Sequence, residues 1–276
     1  MQNFKSILFQ YENNIAHITL NRPERLNALD KDTLIEINTA MDLAEADQNV
    51  RVIVLSGSGR AFSSGFDLKA QMQANPSGEK AWREILDLDF NTTMRFWNSP
   101  KPTVAAVHGA CMAGAFEFAL SCDIAIASEE AIFGEPELKF GAGIVTLLLP
   151  WIVGPKKAKD IIFTGQDRID ATSALQMGII SRVVKTGSHI EVAMQIARSI
   201  ALVDPKVVMG TKKAMNGTYE IQGIHKALKL ALDIDHQIES IGSPDKKQFM
   251  QVARERGMRE AIAWRDARFA GTQVNG

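Results

Sequence analysis

Two glutamates are the residues of this sequence best suited to chemistry. Glu117 lies in ACMAGAFEFALSCD (residues 110–123), whose other members are small, apolar or sulfur-bearing until the polar end of the run. Burying a carboxylate in such surroundings costs several kcal/mol unless it is paired, hydrogen-bonded or protonated. Glu137 lies in FGEPELKFG, a Pro-Glu turn after another short apolar run. Two carboxylates in a dry pocket can divide proton transfers, because desolvation and mutual repulsion raise at least one pKa towards neutrality.

Each glutamate also has a purely structural interpretation. Glu117 could belong to a buried ion pair, and Glu137 could be a solvated acid in a turn. We interpret Glu135, two residues before Glu137, as solvated.

Two loops of small residues could present backbone N–H groups to a ligand. In AFSSGFDL (residues 61–68) the glycine and serines allow a close approach, and in GACMAGAFE the small residues 113–115 begin a predicted helix. Helix N-termini favour negative charge, and two N–H groups aimed at one point would form an oxyanion hole. Tight turns and close helix packing are the alternative explanation of these small residues.

Other motifs are incomplete. Residues 61–65 approximate a hydrolase nucleophile elbow, but residues 57–60 separate the serine from its strand. The glycines at 57 and 59 lack the third glycine of a dinucleotide fingerprint. Cys111 and Cys122 are predicted on one helical face, which suits buried thiols better than a disulfide or a metal site.

Strands and helices alternate around these candidate residues. SILFQYE and NIAHITL predict a hairpin, and RVIVLSG, TVAAVHG and DIAIAS predict short apolar strands. Asp30 can cap a helix, and AFEFALSC is helical in pattern. This alternation predicts an α/β fold with largely parallel strands. From about Lys156 helical patterns dominate, and only IISRVV still predicts a strand.

Composition limits the possible partners. The 276 residues carry 31 basic and 32 acidic side chains, a net charge of -1, which provides no general attraction for nucleic acid or an anionic membrane. The longest apolar run, residues 143–154, is interrupted by Pro150 and is shorter than the roughly 20 residues that span a bilayer. The first residues do not have the pattern of a signal peptide. We therefore expect a cytoplasmic protein that binds neither nucleic acid nor membranes.

Taken together, these stretches resemble the crotonase superfamily, the enoyl-CoA hydratase/isomerase family. The matching landmarks follow the family order along nearly the whole chain. They are NRPERLNAL (21–29), AFSSGFDLKA (61–70), KPTVAAVHGACMAGAFEFALSCDIAIAS (101–128), FGEPELKFG (133–141) and FTGQDRIDATSALQMGIISRVV (163–184).

The resemblance implies both a fold and an assembly. It implies a spiral core of repeated ββα units over residues 1–200 and a helical trimerisation region over residues 201–276. It further implies a homotrimer, or a homohexamer built from two trimers. Apolar stripes in LKLALDI and around Ala261 and Trp264 would be covered in that assembly.

The resemblance also implies an activity, the addition of water across the 2,3-double bond of an acyl-CoA thioester in fatty acid metabolism. Glu117 would activate the water and Glu137 would handle the proton at C2. The backbone N–H groups of Phe66 and Gly114 would hold the thioester oxygen. CoA itself would be contacted by a group of residues around the first loop, and no metal or further cofactor is implied. These residues are Arg25, Ser64, Asp67 and Lys69.

The chain departs from the family pattern at three places. After Gly141 the usual Pro-x-x-Gly-Gly-Thr-Gln-Arg loop is replaced by a more apolar segment, and Phe66 replaces a small residue. Arg265 or Arg268 would replace a lysine that family members often carry near the position of Trp264. Enoyl-CoA isomerisation and C–C bond hydrolysis therefore remain alternatives, as does a catalytically silent CoA-binding or interaction protein.

Overall fold

Two sheets carry the alternating pattern seen in the sequence. The computed structural model describes residues 4–271. Its strands are β1 (Ile7–Glu12), β2 (Ile15–Leu20), β3 (Val52–Gly57), β4 (Thr103–Val107), β5 (Ala110–Met112), β6 (Ile124–Ser128), β7 (Ile132–Gly134), β8 (Ile169–Asp170) and β9 (Arg182–Val184). The larger sheet has the order β1-β2-β3-β4-β6-β9, and the smaller has the order β5-β7-β8.

The predicted hairpin is confirmed, and it is the antiparallel part of the larger sheet. β1 pairs with β2 so that Glu12 lies opposite Ile15, and the remaining pairs of that sheet are parallel. Asn13 and Asn14 form the turn with φ of 51° and 66°. Asparagine tolerates this left-handed conformation, which suits a two-residue hairpin turn.

The small sheet was not predicted, because strands of two or three residues are too short to carry a periodic signal. Successive windings of the chain contribute one strand to each sheet, first β4 and β5 and then β6 and β7. This repeated arrangement confirms the predicted α/β spiral of ββα units.

Helices pack around the sheets. They are α1 (Lys31–Ala46), α2 (Leu68–Ala74), α3 (Gly78–Asn98), α4 (Gly114–Ser121), α5 (Leu149–Val153), α6 (Pro155–Thr164), α7 (Ala171–Gln176), α8 (His189–Ala201), α9 (Pro205–Gln222), α10 (Ile224–Ile241), α11 (Pro244–Arg256) and α12 (Met258–Arg268). As predicted, Asp30 caps α1 by accepting a hydrogen bond from the N–H of Thr33. Short 3-10 helices cover Pro23–Arg25 and Glu137–Phe140.

The C-terminal helices pack against the part of the chain that contains Glu137. α10 packs against α3, while α11 and α12 pack against each other and against the 3-10 helix Glu137–Phe140. Phe140 and Phe249 stack with ring centroids 5.1 Å apart, and Ala261 is fully buried beside them. The predicted boundary after residue 200 falls at the end of α8, and the division into core and oligomerisation region stays a prediction.

The cysteines are free and buried, as predicted, but their placement on one helical face is wrong. Cys111 lies in β5, and Cys122 follows the last residue of α4. The helix begins only at Gly114 because Ala113 adopts φ 55° and ψ −134°, which no helical residue has. No helix within residues 4–271 is long and apolar enough to cross a membrane.

Candidate active site

Glu117 occupies the first turn of α4 and is 1% exposed. Every residue of this helix is buried, so the carboxylate lies in apolar surroundings, as the sequence predicted. The carbonyl of Ala113 accepts hydrogen bonds from the N–H groups of Phe116 and Glu117, which starts the helix. A positive φ at a non-glycine residue is costly and tends to occur at functional sites, and Ala113 lies beside this carboxylate.

Glu137 follows Pro136, begins the 3-10 helix Glu137–Phe140 and is buried. The N–H of Ala113 donates to the carbonyl of Gly134 at 2.8 Å, which ties the segment before the turn to the start of α4. This hydrogen bond continues the pairing of β5 with β7 and joins the segments that carry the two glutamates.

Glu135 is buried at 1% exposure, so its interpretation as a solvated acid is wrong. Its N–H donates to the carbonyl of Gln166 at 2.8 Å, because the segment after α6 folds over the turn and excludes water. Glu117, Glu135 and Glu137 each place a carboxylate oxygen within 4.8 Å of the others, close enough for their charges to interact strongly. Strand periodicity could not have revealed this, because the strand ends at Gly134 and a 3-10 helix begins at Glu137.

Burial perturbs all three carboxyl groups. It raises the pKa of Glu117 to about 8, and the charge of Glu137 adds to the rise. Burial likewise raises the pKa of Glu137 to about 7, although a backbone N–H and the carboxyl of Glu135 oppose the rise. Burial, then the charges of Glu137 and Glu117, raise the pKa of Glu135 well above its ordinary value. Glu117 and Glu137 thus have pKa values near neutrality, as acid-base catalysis requires.

We expect the free energy of unfolding to fall as the pH rises from 4.5 to about 8, the range between the ordinary and raised pKa of Glu117. A carboxyl group with a raised pKa in the folded state stabilises it fully at low pH and loses that contribution as it ionises. Denaturant unfolding across a pH series should give a shallower decline for Glu117→Gln than for wild type. Glu79→Gln, an exposed control, should keep the wild-type decline. Equal declines in wild type and Glu117→Gln would contradict the buried, proton-binding role.

The two small-residue loops lie side by side. The N–H of Ser63 donates to the carbonyl of Ala110 at 3.1 Å, and the N–H of Met112 donates to the carbonyl of Ser63 at 3.2 Å. Gly65 has φ 88°, and a Cβ there would lie 2.7 Å from the Met112 carbonyl oxygen and 3.2 Å from the nitrogen of Gly114. Glycine at this position thus permits both the backbone conformation and the close approach of the loops.

The predicted oxyanion donors lie where these loops meet. Within residues 4–271, the N–H groups of Phe66 and Gly114 donate to no protein acceptor. The Phe66 ring rests on Gly114, where a Cβ would come 2.3 Å from Cε2 of that ring. Two free N–H groups in neighbouring loops could hold an oxyanion, and this role for Phe66 and Gly114 stays a prediction.

A cavity of about 590 Å³ opens beside the loops. Phe66, Ala113 and Glu137 contribute to its wall, together with Val145 from the segment that replaces the family loop. Glu117 does not line this cavity, although its carboxylate approaches that of Glu137. Of Glu117 and Glu137, Glu137 is therefore the one that lines the cavity.

A second depression of about 480 Å³ adjoins the cavity, because Ser64, Phe66 and Leu68 line both. It brings together all four residues predicted to contact CoA, and α12 closes its other side. The four are Arg25, Ser64, Asp67 and Lys69.

Asp67 and Lys69 differ in their availability to a ligand. The Asp67 carboxylate caps α2 by accepting from the N–H of Ala70 at 2.9 Å, and it lies 3.4 Å from Arg22 and 3.8 Å from Arg25. Asp67 thus positions Arg25, and its contact with CoA stays a prediction. Lys69 is exposed and forms no ion pair with the described part of the chain.

Of the two arginines suggested near the C-terminus, Arg265 is the one in the cavity wall. It lies 3.4 Å from Asp167, which holds it there. Arg268 instead pairs with Asp245 at 2.9 Å and lies over the ring of Trp264.

The spiral of ββα windings places the chain in the crotonase class of α/β proteins. The chain belongs to the enoyl-CoA hydratase/isomerase family, whose family model matches residues 10–258. Among solved structures, it is similar to an enoyl-CoA hydratase/isomerase from Xanthobacter autotrophicus Py2. That structure has a TM-score of 0.96 and 58% identity, and the match covers 97% of this chain and 99% of the other.

Two curated relatives carry hydratase names. A putative enoyl-CoA hydratase from Thermus thermophilus is 37% identical over 204 residues, which cover 73% of this chain and 80% of the relative. The short-chain-enoyl-CoA hydratase of Clostridium acetobutylicum is 33% identical over 261 residues, which cover 89% of this chain and 93% of the relative. The family assignment from the five sequence landmarks is confirmed.

Proposed function

We propose that this protein is an enoyl-CoA hydratase that adds water across the 2,3-double bond of an acyl-CoA thioester. The observation that carries the proposal is the buried pair Glu117 and Glu137 beside two backbone N–H groups that have no protein acceptor. The names of the relatives point to the same reaction. CoA enters only as part of the substrate, and the proposed reaction needs no metal or other cofactor.

The proposed mechanism uses each group once. The N–H groups of Phe66 and Gly114 bind the thioester oxygen and stabilise the negative charge that develops on it. Ionised Glu117 removes a proton from water as the water oxygen bonds to C3, and the electrons of the double bond move into the enolate. Protonated Glu137 then donates its proton to C2, which completes the 3-hydroxyacyl thioester.

The raised pKa values allow Glu117 and Glu137 each to act as acid in one direction of the reaction and as base in the other. Because both pKa values lie near neutrality, we propose that the pair carries one proton, which either Glu117 or Glu137 can hold. Hydration starts with that proton on Glu137, whereas dehydration starts with it on Glu117. Proton exchange across the close carboxylates, or with water, restores the starting state after each turnover.

Isomerisation of the double bond is the second candidate, and one observation favours it. Glu137 lines the cavity whereas Glu117 does not, and a single glutamate suffices to move a proton between carbon atoms. C–C bond hydrolysis and a silent CoA-binding role are the remaining alternatives. A panel of 2-enoyl-CoA and 3-enoyl-CoA esters, with product identification by mass spectrometry and NMR, separates them. We expect 3-hydroxyacyl-CoA; shifted double bonds, cleaved chains or no turnover would each contradict hydration.

Lys69→Ala should weaken CoA binding several-fold and raise KM more than it lowers kcat. Lys69 is an exposed cation in the depression that adjoins the cavity, where it would meet a phosphate through a charge-assisted contact. Titration calorimetry with CoA gives the affinity, and Lys80→Ala, an exposed lysine outside both depressions, serves as the control. Unchanged affinity in Lys69→Ala would remove this residue from the proposed CoA site.

Trimers or hexamers are part of the proposal, and the exposed face of α10 supports them. Leu230, Ile234, Ile238 and Ile241 are 62%, 50%, 40% and 76% exposed and recur at three- and four-residue intervals. The stripe around Ala261 packs within the chain instead, so it is not available to a neighbour. We expect a trimer or hexamer in sedimentation at micromolar concentration, and a monomer would contradict this. A cytoplasmic location stays an expectation from the sequence pattern, and a place in fatty acid metabolism stays what the family resemblance implies.

A further inference from the structure

A second polar cluster lines the same cavity as Glu137, and the charge of its member Asp235 also raises the pKa values of Glu117 and Glu137. It combines side chains from three helices that meet at this wall, and each is less than 10% exposed. Its members are Asp89 from α3 at 6%, Asp235 and Glu239 from α10 at 3% and 5%, and Lys246 from α11 at 7%. The proposed mechanism uses none of them.

Two members of the cluster satisfy each other. Lys246 forms an ion pair with Glu239, and its ammonium group lies 4.4 Å from the centroid of the Trp82 ring. The second carboxylate oxygen of Glu239 accepts from the N–H of Gly143 at 3.2 Å. The charge of Lys246 opposes the rise in the pKa of Asp235 that burial causes, but Lys246 forms its ion pair with Glu239 and not with either aspartate.

Asp235 has no hydrogen-bond partner for either carboxylate oxygen within the described residues. The Asp89 carboxylate likewise forms no hydrogen bond or ion pair there. Buried polar groups are normally partnered, and each unsatisfied one needs an explanation. Burial and then the charge of Asp235 raise the pKa of Asp89, and burial raises the pKa of Asp235 to about 6.

The neighbouring backbone makes room for Asp235. A Cβ at Gly143 would lie 1.8 Å from Oδ1 of Asp235, so the carboxylate lies against bare backbone. Gly143 belongs to the segment that departs from the family pattern, and it lines the same cavity. A side chain at this position would fill the place that the carboxylate occupies.

We propose that Asp235, together with Asp89, binds a hydrogen-bond donor carried on the acyl chain of the substrate, either a hydroxyl or an ammonium group. This inference rests on the proposed function and specifies its substrate class. A hydrogen-bond donor on the acyl chain would satisfy the unpartnered carboxylate oxygens. An unsubstituted alkyl chain would exclude water from these oxygens without forming a hydrogen bond to them. Sites with buried polar groups reject ligands that leave those groups unpaired.

The direct test compares the affinities of matched acyl-CoA esters. Saturated hexanoyl-, octanoyl- and decanoyl-CoA carrying a terminal hydroxyl or amino group are each compared with the ester in which a methyl group replaces the polar group. A hydrogen bond to a charged group contributes about 1.5–3 kcal/mol. We therefore expect at least one polar ester to bind the full-length protein about tenfold or more tightly than its methyl counterpart. Equal affinities at every chain length would overturn the inference.

Two variants connect the preference to Asp235. Asp235→Leu should abolish the discrimination between polar and methyl esters, while Asp233→Leu on the same helix should keep it. Asp233 is the matched control because its side chain is 48% exposed and pairs with Arg83 outside the cavity. Asp235→Leu should also unfold at a temperature equal to or above that of wild type, because leucine needs no partner there. A lower unfolding temperature with unchanged discrimination would assign Asp235 a structural role and overturn the inference.

The test separates this inference from the proposed function. Saturated esters cannot be hydrated, so their affinities decide the inference whether or not the protein has hydratase activity. Failure to hydrate any 2-enoyl-CoA, polar or unsubstituted, would instead count against the proposed function alone.

Discussion

Glu137→Gln should lower kcat for hydration by about 10²–10⁴-fold while CoA binding stays close to wild type. This is the usual contribution of a positioned general acid or base, and glutamine keeps the shape of the side chain without its transferable proton. Steady-state kinetics with a 2-enoyl-CoA measures the loss. The exposed control Glu79→Gln should keep the wild-type rate. A wild-type rate in Glu137→Gln would exclude this residue from proton transfer.

Glu117→Gln should lower kcat for hydration by a similar factor, but it should differ from Glu137→Gln in the exchange of the C2 proton with solvent. If Glu137 alone handles the proton at C2, Glu117→Gln should retain some exchange of that proton with solvent deuterium, whereas Glu137→Gln should lose it. The double variant should lose less than the product of the single losses, since residues that act as a unit are not additive. Hydration at the wild-type rate in Glu117→Gln would favour the single-glutamate isomerase.

Gly65→Ala should lower kcat by about 10²–10³-fold, the usual effect of losing one oxyanion donor. Its φ of 88° is unfavourable for alanine, and the new Cβ would lie 2.7 Å from the carbonyl oxygen of Met112. The loops that carry the N–H groups of Phe66 and Gly114 would have to separate. Stopped-flow or steady-state kinetics, combined with calorimetry of CoA binding, would detect a defect confined to the chemical step.

Gly178→Ala provides the matched control for this substitution. Gly178 has a similar φ of 77°, but a Cβ there meets no atom within 4 Å. Gly178→Ala should therefore lower the free energy of unfolding through the same backbone strain as Gly65→Ala, while it keeps the wild-type kcat. Equal kcat losses in the two variants would show that backbone strain, rather than loop separation, causes the effect.

The sequence predicted those features whose cause is local or repeated along the chain. The hairpin at Asn13 and Asn14 and the cap at Asp30 depend on neighbouring residues, so both were recognisable. Glu117 was recognisable because a lone acid in a buried apolar helix is energetically unusual. The family landmarks then placed Phe66, Gly114 and Glu137 relative to it.

Features that depend on distant segments were missed or misinterpreted. Glu135 is buried because the chain around Gln166 folds over it, which its own neighbours do not reveal. Asp89 and Asp235 meet only because α3 and α10 pack together, although nearly 150 residues separate them in sequence. α3 itself was not predicted, and its hydrophobic face is interrupted by buried polar residues such as Thr92 and Thr93.

The most direct test of the central claim is an isotope experiment on the wild-type protein. A 2-enoyl-CoA is incubated in deuterium oxide enriched in oxygen-18, and the product is analysed by mass spectrometry and NMR. Hydration by the two glutamates predicts a 3-hydroxyacyl-CoA with oxygen-18 at C3 and deuterium at C2. A 3-enoyl-CoA labelled with deuterium but lacking oxygen-18, or a recovered substrate without either label, would contradict it.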